Sequence, residues 1–317
     1  MLDRPARRLG ELGFMVLLVA LAATAAPAHA AFPGRNGPIA FAQAAGSGFY
    51  PPTFEQSRLA RARPGQGTAR ILLECQHAGG VPRGGDCTGT SYRSPAYSPD
   101  GRALVFDAGE RLAVMDAGGG PVRLLPATTA DDGEPAFSPD GRLIVFSGAN
   151  DRGTTDVYVR RLDGGDALVV VYDAGEPAWS SKGRLAYVRN GNVYTADPSG
   201  RRRRFVTSGI SPDWSPHGTR LALVRPSPRL VNDGPHGRIY TVGARGRGLR
   251  RIGRARLASN PVWSPDGRWI AYDGFDLGVF AKRLRSRSPA LAVAPTGYGG
   301  SSFIDSFHPT WRPIPSR

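Results

Sequence analysis

From residue 95 to the C-terminus, apolar positions come in short bursts separated by polar turns rich in Gly, Pro, Asp and Ser. Five related heptapeptides punctuate this stretch: PAYSPDG at 95–101, PAFSPDG at 135–141, PAWSSKG at 177–183, PDWSPHG at 212–218 and PVWSPDG at 261–267. A truncated copy, PTW, stands at 309–311. The first prolines are 40, 42, 35, 49 and 48 residues apart, and each has an aromatic two residues on: Tyr97, Phe137, Trp179, Trp214, Trp263 and Trp311. After each full copy comes a short apolar run: Leu104-Val105-Phe106, Ile144-Val145-Phe146, Leu185-Ala186-Tyr187, Leu221-Ala222-Leu223 and Ile270-Ala271-Tyr272. Further runs at Leu112–Met115, Asp156–Val159, Asn192–Thr195, Arg238–Val242 and Leu277–Ala281 precede another polar turn and a final apolar segment. Runs this short, with breakers between them and no amphipathic segment of helical length, read as strands. Four strands per repeat of this length is the pattern of a propeller blade.

The ends complete the count. GPIAF at 37–41 reads as the second strand of a repeat lacking its first, and HPTWR at 308–312 as a first strand lacking the rest. Joined, they make one blade from both termini, which removes an exposed sheet edge. The expectation is an all-β, six-bladed β-propeller of four-stranded blades over residues 31–317. A similar Pro-x-aromatic at Pro52–Phe54 lacks the downstream turn and is not counted.

The phrase P-x-W-S-P-D-G-x-x-I-A-F resembles the signature of the TolB-like (WD40-like) propeller family, and the resemblance runs in register over nearly all of residues 34–313. Ser181-Lys182 and His217 depart from it. The resemblance implies an exported propeller used for protein contacts. The family's namesake carries a further N-terminal α/β domain; with the first strand near Gly37, none is expected here, nor a role in the Tol–Pal complex. Architecture of this kind does not by itself specify function.

Composition adds a compartment. Arg4, Arg7 and Arg8 precede an apolar run from Phe14 to Ala26 and then Ala28-His29-Ala30, the order of a secretory signal peptide over residues 1–30. The run is short for a membrane span, although a retained anchor is the alternative reading. The protein is expected outside the cytoplasm: extracellular, in the cell wall or periplasmic. In an oxidising compartment Cys75 and Cys87 are expected to form a disulfide, with two free thiols as the alternative.

The chain carries 41 Lys and Arg against 26 Asp and Glu, a formal charge of +15, and all but Lys182 and Lys282 of the basic residues are arginine. Codon bias or selection for bidentate contacts to carboxylate and phosphate would each produce this. The arginines cluster at Arg201, Arg202, Arg203 and Arg204, at Arg245–Arg256 (including Arg247, Arg250 and Arg251), and at Arg283, Arg285 and Arg287. Each cluster follows the third strand of consecutive repeats, so up-and-down strand order places all three on one face as a patch for an anionic envelope component. Without interleaved aromatics the runs do not suggest nucleic acid.

Up-and-down order also puts the residue before each repeat proline near the opposite mouth of the central channel. These are Ser94, Glu134, Glu176, Ser211, Asn260 and His308, with Asp131, Asp132, Asp173 and Asp305 slightly upstream. They form a candidate ligand-binding ring, or a site for a divalent cation. No G-x-S-x-G, H-E-x-x-H, C-x-x-C or Walker A pattern is present. The Ser-Pro-Asp-Gly segments read as tight turns, the Asp bonding its own backbone. The function expected is therefore a monomeric, non-catalytic binding module for a protein or envelope component, with no cofactor. The alternative is a metal-dependent propeller enzyme acting on an acidic sugar or lactone, with Glu134, Glu176, Asn260 and His308 as ligands, on a fold-level likeness to oligogalacturonate lyases and lactonases.

Overall fold

The computed structural model describes residues 33–47, 53–66, 68–78, 81–83, 92–227, 236–274, 278–295, 297–299 and 302–315. The expected signal peptide and Cys87 lie outside the described residues, and so does the side chain of Cys75.

Within them every regular element is a strand. Three sheets have four strands in sequence order, beginning at Tyr92–Tyr97, Asp132–Phe137 and Gly175–Trp179. An eight-stranded sheet holds two more such runs, beginning at Ile210–Trp214 and Ala258–Trp263. The two runs are joined through the single pair Gly237–Ala258. The last sheet is built from both ends of the chain: Ser302–Ile314 pairs with Arg35–Ser47, Ile39 lying opposite Trp311 and Ala40 opposite Thr310. Thr53–Ala62 pairs with the other edge of Arg35–Ser47, so Thr53 and Phe54 belong to the sheet that the two ends share. The arrangement is a propeller of successive antiparallel sheets. The outer strands are shorter than the apolar runs suggest, only two residues at Arg123–Leu124 and Arg250–Arg251.

The core lies between sheets. The repeat aromatics Tyr97, Phe137, Trp179, Trp214, Trp263 and Trp311 are all buried. Trp214, at the first strand of its sheet, packs among Ala178, Val193 and Val206 of the preceding one and donates Nε1–H to the Ala178 carbonyl at 3.3 Å. A sheet with both faces covered needs apolar residues on both, which is why the second strands read as continuous hydrophobic runs.

The Ser-Pro-Asp-Gly turns bear the expected bonds and one more. Asp100 Oδ1 accepts from the Ser98 hydroxyl at 2.6 Å and the Arg102 N–H at 3.0 Å. Ser98 Oγ in turn accepts the Ala103 N–H at 2.9 Å, opening the second strand. In the two copies without the acid, Ser180 and Ser215 keep the bond to the second strand, from the N–H of Arg184 (2.9 Å) and Arg220 (3.0 Å). The serine is thus the constant part of the turn, and the aspartate reinforces it.

Candidate functional site

Every innermost strand is interrupted at the same place. In the sheet of Tyr92–Tyr97, Arg93 pairs with Asp107 and Ala96 with Val105, leaving Ser94 and Pro95 opposite Phe106 alone. The same two-against-one bulge sets Glu134-Pro135 against Phe146 and Glu176-Pro177 against Tyr187. It sets Ser211-Pro212 against Leu223, Asn260-Pro261 against Tyr272, and His308-Pro309 against Phe41. All six opposing side chains are buried. Proline has no N–H to give a ladder, so a bulge is where a strand tolerates it. The residue before it turns left-handed in every case: φ is 46° at Ser94, 54° at Glu134, 51° at Glu176, 49° at Ser211, 45° at Asn260 and 53° at His308. A residue before proline ordinarily stays extended, so all six conformations are held by their surroundings.

What holds them is a chain of bonds from sheet to sheet. His308 Nδ1 accepts the Ser94 N–H at 3.3 Å. Asp107 Oδ1 accepts the Glu134 N–H at 3.0 Å. Glu134 Oε2 accepts the Glu176 N–H at 2.9 Å and the Ser147 hydroxyl at 2.7 Å. A Glu176 carboxylate oxygen accepts the Ser211 N–H. In these four the left-handed turn carries the N–H to an acceptor on the neighbouring sheet. Asn260 instead donates its side-chain amide to Asp273 at 2.7 Å.

These groups titrate unusually. Burial, reinforced by the charge of Glu134, raises the Glu176 carboxyl to about 7, against the pull of the Ser211 N–H. Burial pushes Asp107 well above the usual carboxylate range, opposed by the Ser94 hydroxyl. Burial lowers His308 to about 4, helped by Arg93, so the imidazole is neutral. With Nδ1 accepting, its proton sits on Nε2. A further acid had no signal in the repeat comparison: Asp213, where other copies have Ala, Val or Thr. Its Oδ2 accepts the Trp263 N–H at 2.8 Å, and burial raises it to about 7.

The six pre-proline residues, their prolines and Asp213 line one cavity of about 180 Å³ on the central axis. A wider cleft of about 830 Å³ opens beside it, with Asp107, Asp131, Glu134, Asp173 and Glu176 in its wall beside Arg93, Arg189 and His308. Asp173 is bridged by Arg152 at 3.3 Å and Arg189 at 3.6 Å. Asp132 turns away, accepting the N–H groups of Thr128 and Thr129 at 2.7 and 2.9 Å. The side chain of Asp305 is not among those described. Among the described residues no three His, Cys, Asp or Glu side chains are placed to share a metal ion.

The basic turns lie at the other end of the innermost strands. A cleft of about 1250 Å³ takes its wall from the Ser-Pro-type turns at Ser215–Thr219 and Gly267–Arg268 and from the second and third arginine clusters. Arg250, Arg251, Arg283 and Arg285 line it, joined by Arg287, which belongs to the third cluster, and by Arg268, which belongs to none. Arg201–Arg204 do not line it, and neither does Arg247. The first cluster meets the second elsewhere: Arg204 and Arg245 face Arg184, whose guanidinium is pushed down by burial first and then by their charge. Arg184 stays in place by stacking 5.7 Å over the Trp214 ring and donating to Thr195 Oγ1 at 2.6 Å.

No known protein-family model matches the chain. Among solved structures it is similar to TolB from Acinetobacter baumannii, with a TM-score of 0.63 and 17% identity over 98% of this chain and 74% of that one. A putative TolB from Agrobacterium tumefaciens matches with a TM-score of 0.58 and 16% identity over 88% of this chain and all of that one (100%). A chain of a nidogen/laminin complex gives 0.62 and 13% over 87% of this chain and 100% of its own length. The chain has a TolB-like β-propeller fold.

Proposed function

We propose that this chain is an exported, non-catalytic propeller that holds a protein or envelope component, with the channel mouth as its protein-contact face. The reading takes the eight-stranded sheet as two blades joined through Gly237 and Ala258, which would make six blades; that joining supports the count. The observation that carries the reading is the fixed ring at the mouth. Six left-handed residues present their side chains to one opening, and four of the six have their N–H groups held by a neighbouring sheet. Such a surface is preorganised, and little ordering cost remains for a partner to meet. Its carboxylates act as acceptors of backbone bonds within the protein. Tyr172, 55% exposed beside the acidic wall, supplies the kind of aromatic contact that dominates protein interfaces. The likeness to TolB supports export and a binding role.

The test has two arms. The full chain is expressed in an envelope-bearing bacterial host with a photo-crosslinking residue at Asp131 or Asn190, and again at Arg201. A discrete adduct from the mouth positions alone is expected; equal adducts from Arg201, or none, overturn the assignment. In parallel, thermal unfolding is recorded with calcium, manganese, zinc and a chelator. A flat response is expected. A metal-dependent rise lost in Glu134→Gln/His308→Gln would replace this reading with the metal-dependent enzyme.

A further inference from the structure

The cleft at the opposite end from the mouth has an unusual wall. Among the described residues no carboxylate lines it, in a chain with 26 Asp and Glu. Six exposed arginines do: Arg250, Arg251, Arg268, Arg283, Arg285 and Arg287. None forms an ion pair among the described residues. Codon bias would produce arginine in place of lysine; it would not keep acids from the described wall of one cleft.

Two further cations shape the cleft. Arg220 donates to Thr241 Oγ1 at 3.0 Å and the Gly248 carbonyl at 3.2 Å, fixing the second arginine turn. Lys282 Nζ donates to the Ser286 carbonyl at 2.8 Å and to that of Ser288, folding the third turn around itself. Within that turn Arg285 is left-handed, with φ at 56°. The corresponding turn in the first run of the same sheet reaches its left-handed position with Gly246, at 82°. An arginine here costs conformational energy that glycine would not. Charge repulsion is therefore concentrated along this wall, while the backbone strain is shared with Arg202, left-handed at 53° in the first cluster outside the cleft.

We propose that this cleft binds a linear anionic polysaccharide, its carboxylate or sulfate groups taken by the six exposed guanidinium forks, none of them ion-paired among the described residues. The volume exceeds the roughly 300–1,000 Å³ of small-molecule sites and suits a stretch of polymer. Guanidinium pairs with such groups bidentately. A single-stranded nucleic acid would need a platform of exposed stacking rings; among the described residues the wall offers Trp263, 6% exposed, and the lone imidazole of His217. A bilayer presents a flat surface, which a concave cleft does not follow. The proposal concerns the end of the molecule away from the mouth, and its test leaves the mouth residues untouched.

Binding of the whole chain is measured with polygalacturonate (carboxylate), heparin (sulfate), neutral dextran, single-stranded DNA and phosphatidylglycerol vesicles. Expected is binding of one or both acidic polysaccharides, none of dextran, and an affinity loss of at least about 10-fold between roughly 50 and 300 mM NaCl. Arg250→Ser/Arg251→Ser and Arg283→Ser/Arg287→Ser should each weaken binding about 10-fold, with Tm at low salt unchanged or raised by a degree or so. Arg202→Ser/Arg203→Ser, outside the cleft, should change it less than about twofold, which separates a site from net charge. Arg285→Gly should raise Tm while weakening binding, an opposition that a purely structural arginine would not give. Equal loss from the two arginine sets, tighter binding of DNA or vesicles than of polysaccharide, or no binding at low salt would each overturn the proposal.

Discussion

The channel mouth and the arginine cleft stand at opposite ends of the same strands and use charge in opposite ways. At the mouth, Glu134, Glu176, Asp107 and His308 face inward and accept N–H groups from the next sheet. For three of them ionisation is bound up with the fold: Glu176 and Asp107 are pushed up and the His308 imidazole down, each chiefly by burial. In the cleft the arginines face water, make few internal bonds and pair with no acid among the described residues. A count of titratable residues treats the two ends alike. What separates them is whether a backbone donor or the solvent meets the charge.

Substitutions should expose that contrast. The scale is set between the two ends: Trp214→Ala empties a site of 1% exposure and should cost about 3–5 kcal/mol in chemical denaturation. At the mouth, Glu134→Ala leaves the Glu176 N–H and the Ser147 hydroxyl without that carboxylate and should cost about 1–3 kcal/mol. Arg283→Ser in the cleft should stay within about 0.5 kcal/mol of the parent. Equal losses at the two sites would erase the distinction.

The pH dependence separates them further. Glu176 and Asp213 have folded pKa values of about 7, above their unfolded values, so the folded state binds more protons. Their contribution to stability is fully present below pH ~4 and declines as pH rises to about 7. His308, lowered to about 4, works in the opposite sense and contributes stability that is lost as pH falls from about 6.5 to 4. In Glu176→Gln/Asp213→Asn the Tm difference from the parent should therefore be small at pH 4 and grow to several degrees in favour of the variant at pH 8. A difference independent of pH would show that the two acids are not buried as described. The smallest effect belongs to the cleft: salt screens its repulsion, so raising NaCl from about 0.05 to 0.5 M should lift Tm by a degree or two. That rise should shrink in Arg250→Ser/Arg251→Ser.

Much of this was legible in the sequence. The heptapeptide repeat located the innermost and second strands, and the two incomplete repeats at 37–41 and 308–312 are found paired, Ile39 opposite Trp311. The position before each proline was legible as a ring residue because alternation and strand order are properties of the pattern. Its left-handed conformation was not, since a residue before proline is ordinarily extended, and the acceptors that meet four of the six N–H groups come from the neighbouring sheet. Asp213 was hidden by the repeat itself, which marks position and is silent on a buried acid bonded to Trp263. The arginine clusters were legible as three adjacent runs. Only the paths of the turns show that two share a cleft with Arg268 while Arg204 crowds Arg184.

The pairing of Arg35–Ser47 with Ser302–Ile314 has a kinetic side. Each of the other sheets can assemble from neighbouring segments as soon as they exist. This one must bring together strands separated by nearly the whole chain. Closing a loop of ~280 residues costs roughly 5 kcal/mol in chain entropy before any contact is returned. The sheet that joins the ends should therefore be the last to form. Until it does, Arg35–Ser47 waits with one open edge, and the ring around the central axis lacks the His308 that accepts the Ser94 N–H. Ring closure and the completion of the mouth are one folding event, and its rate sets how long the chain stays exposed to misassembly.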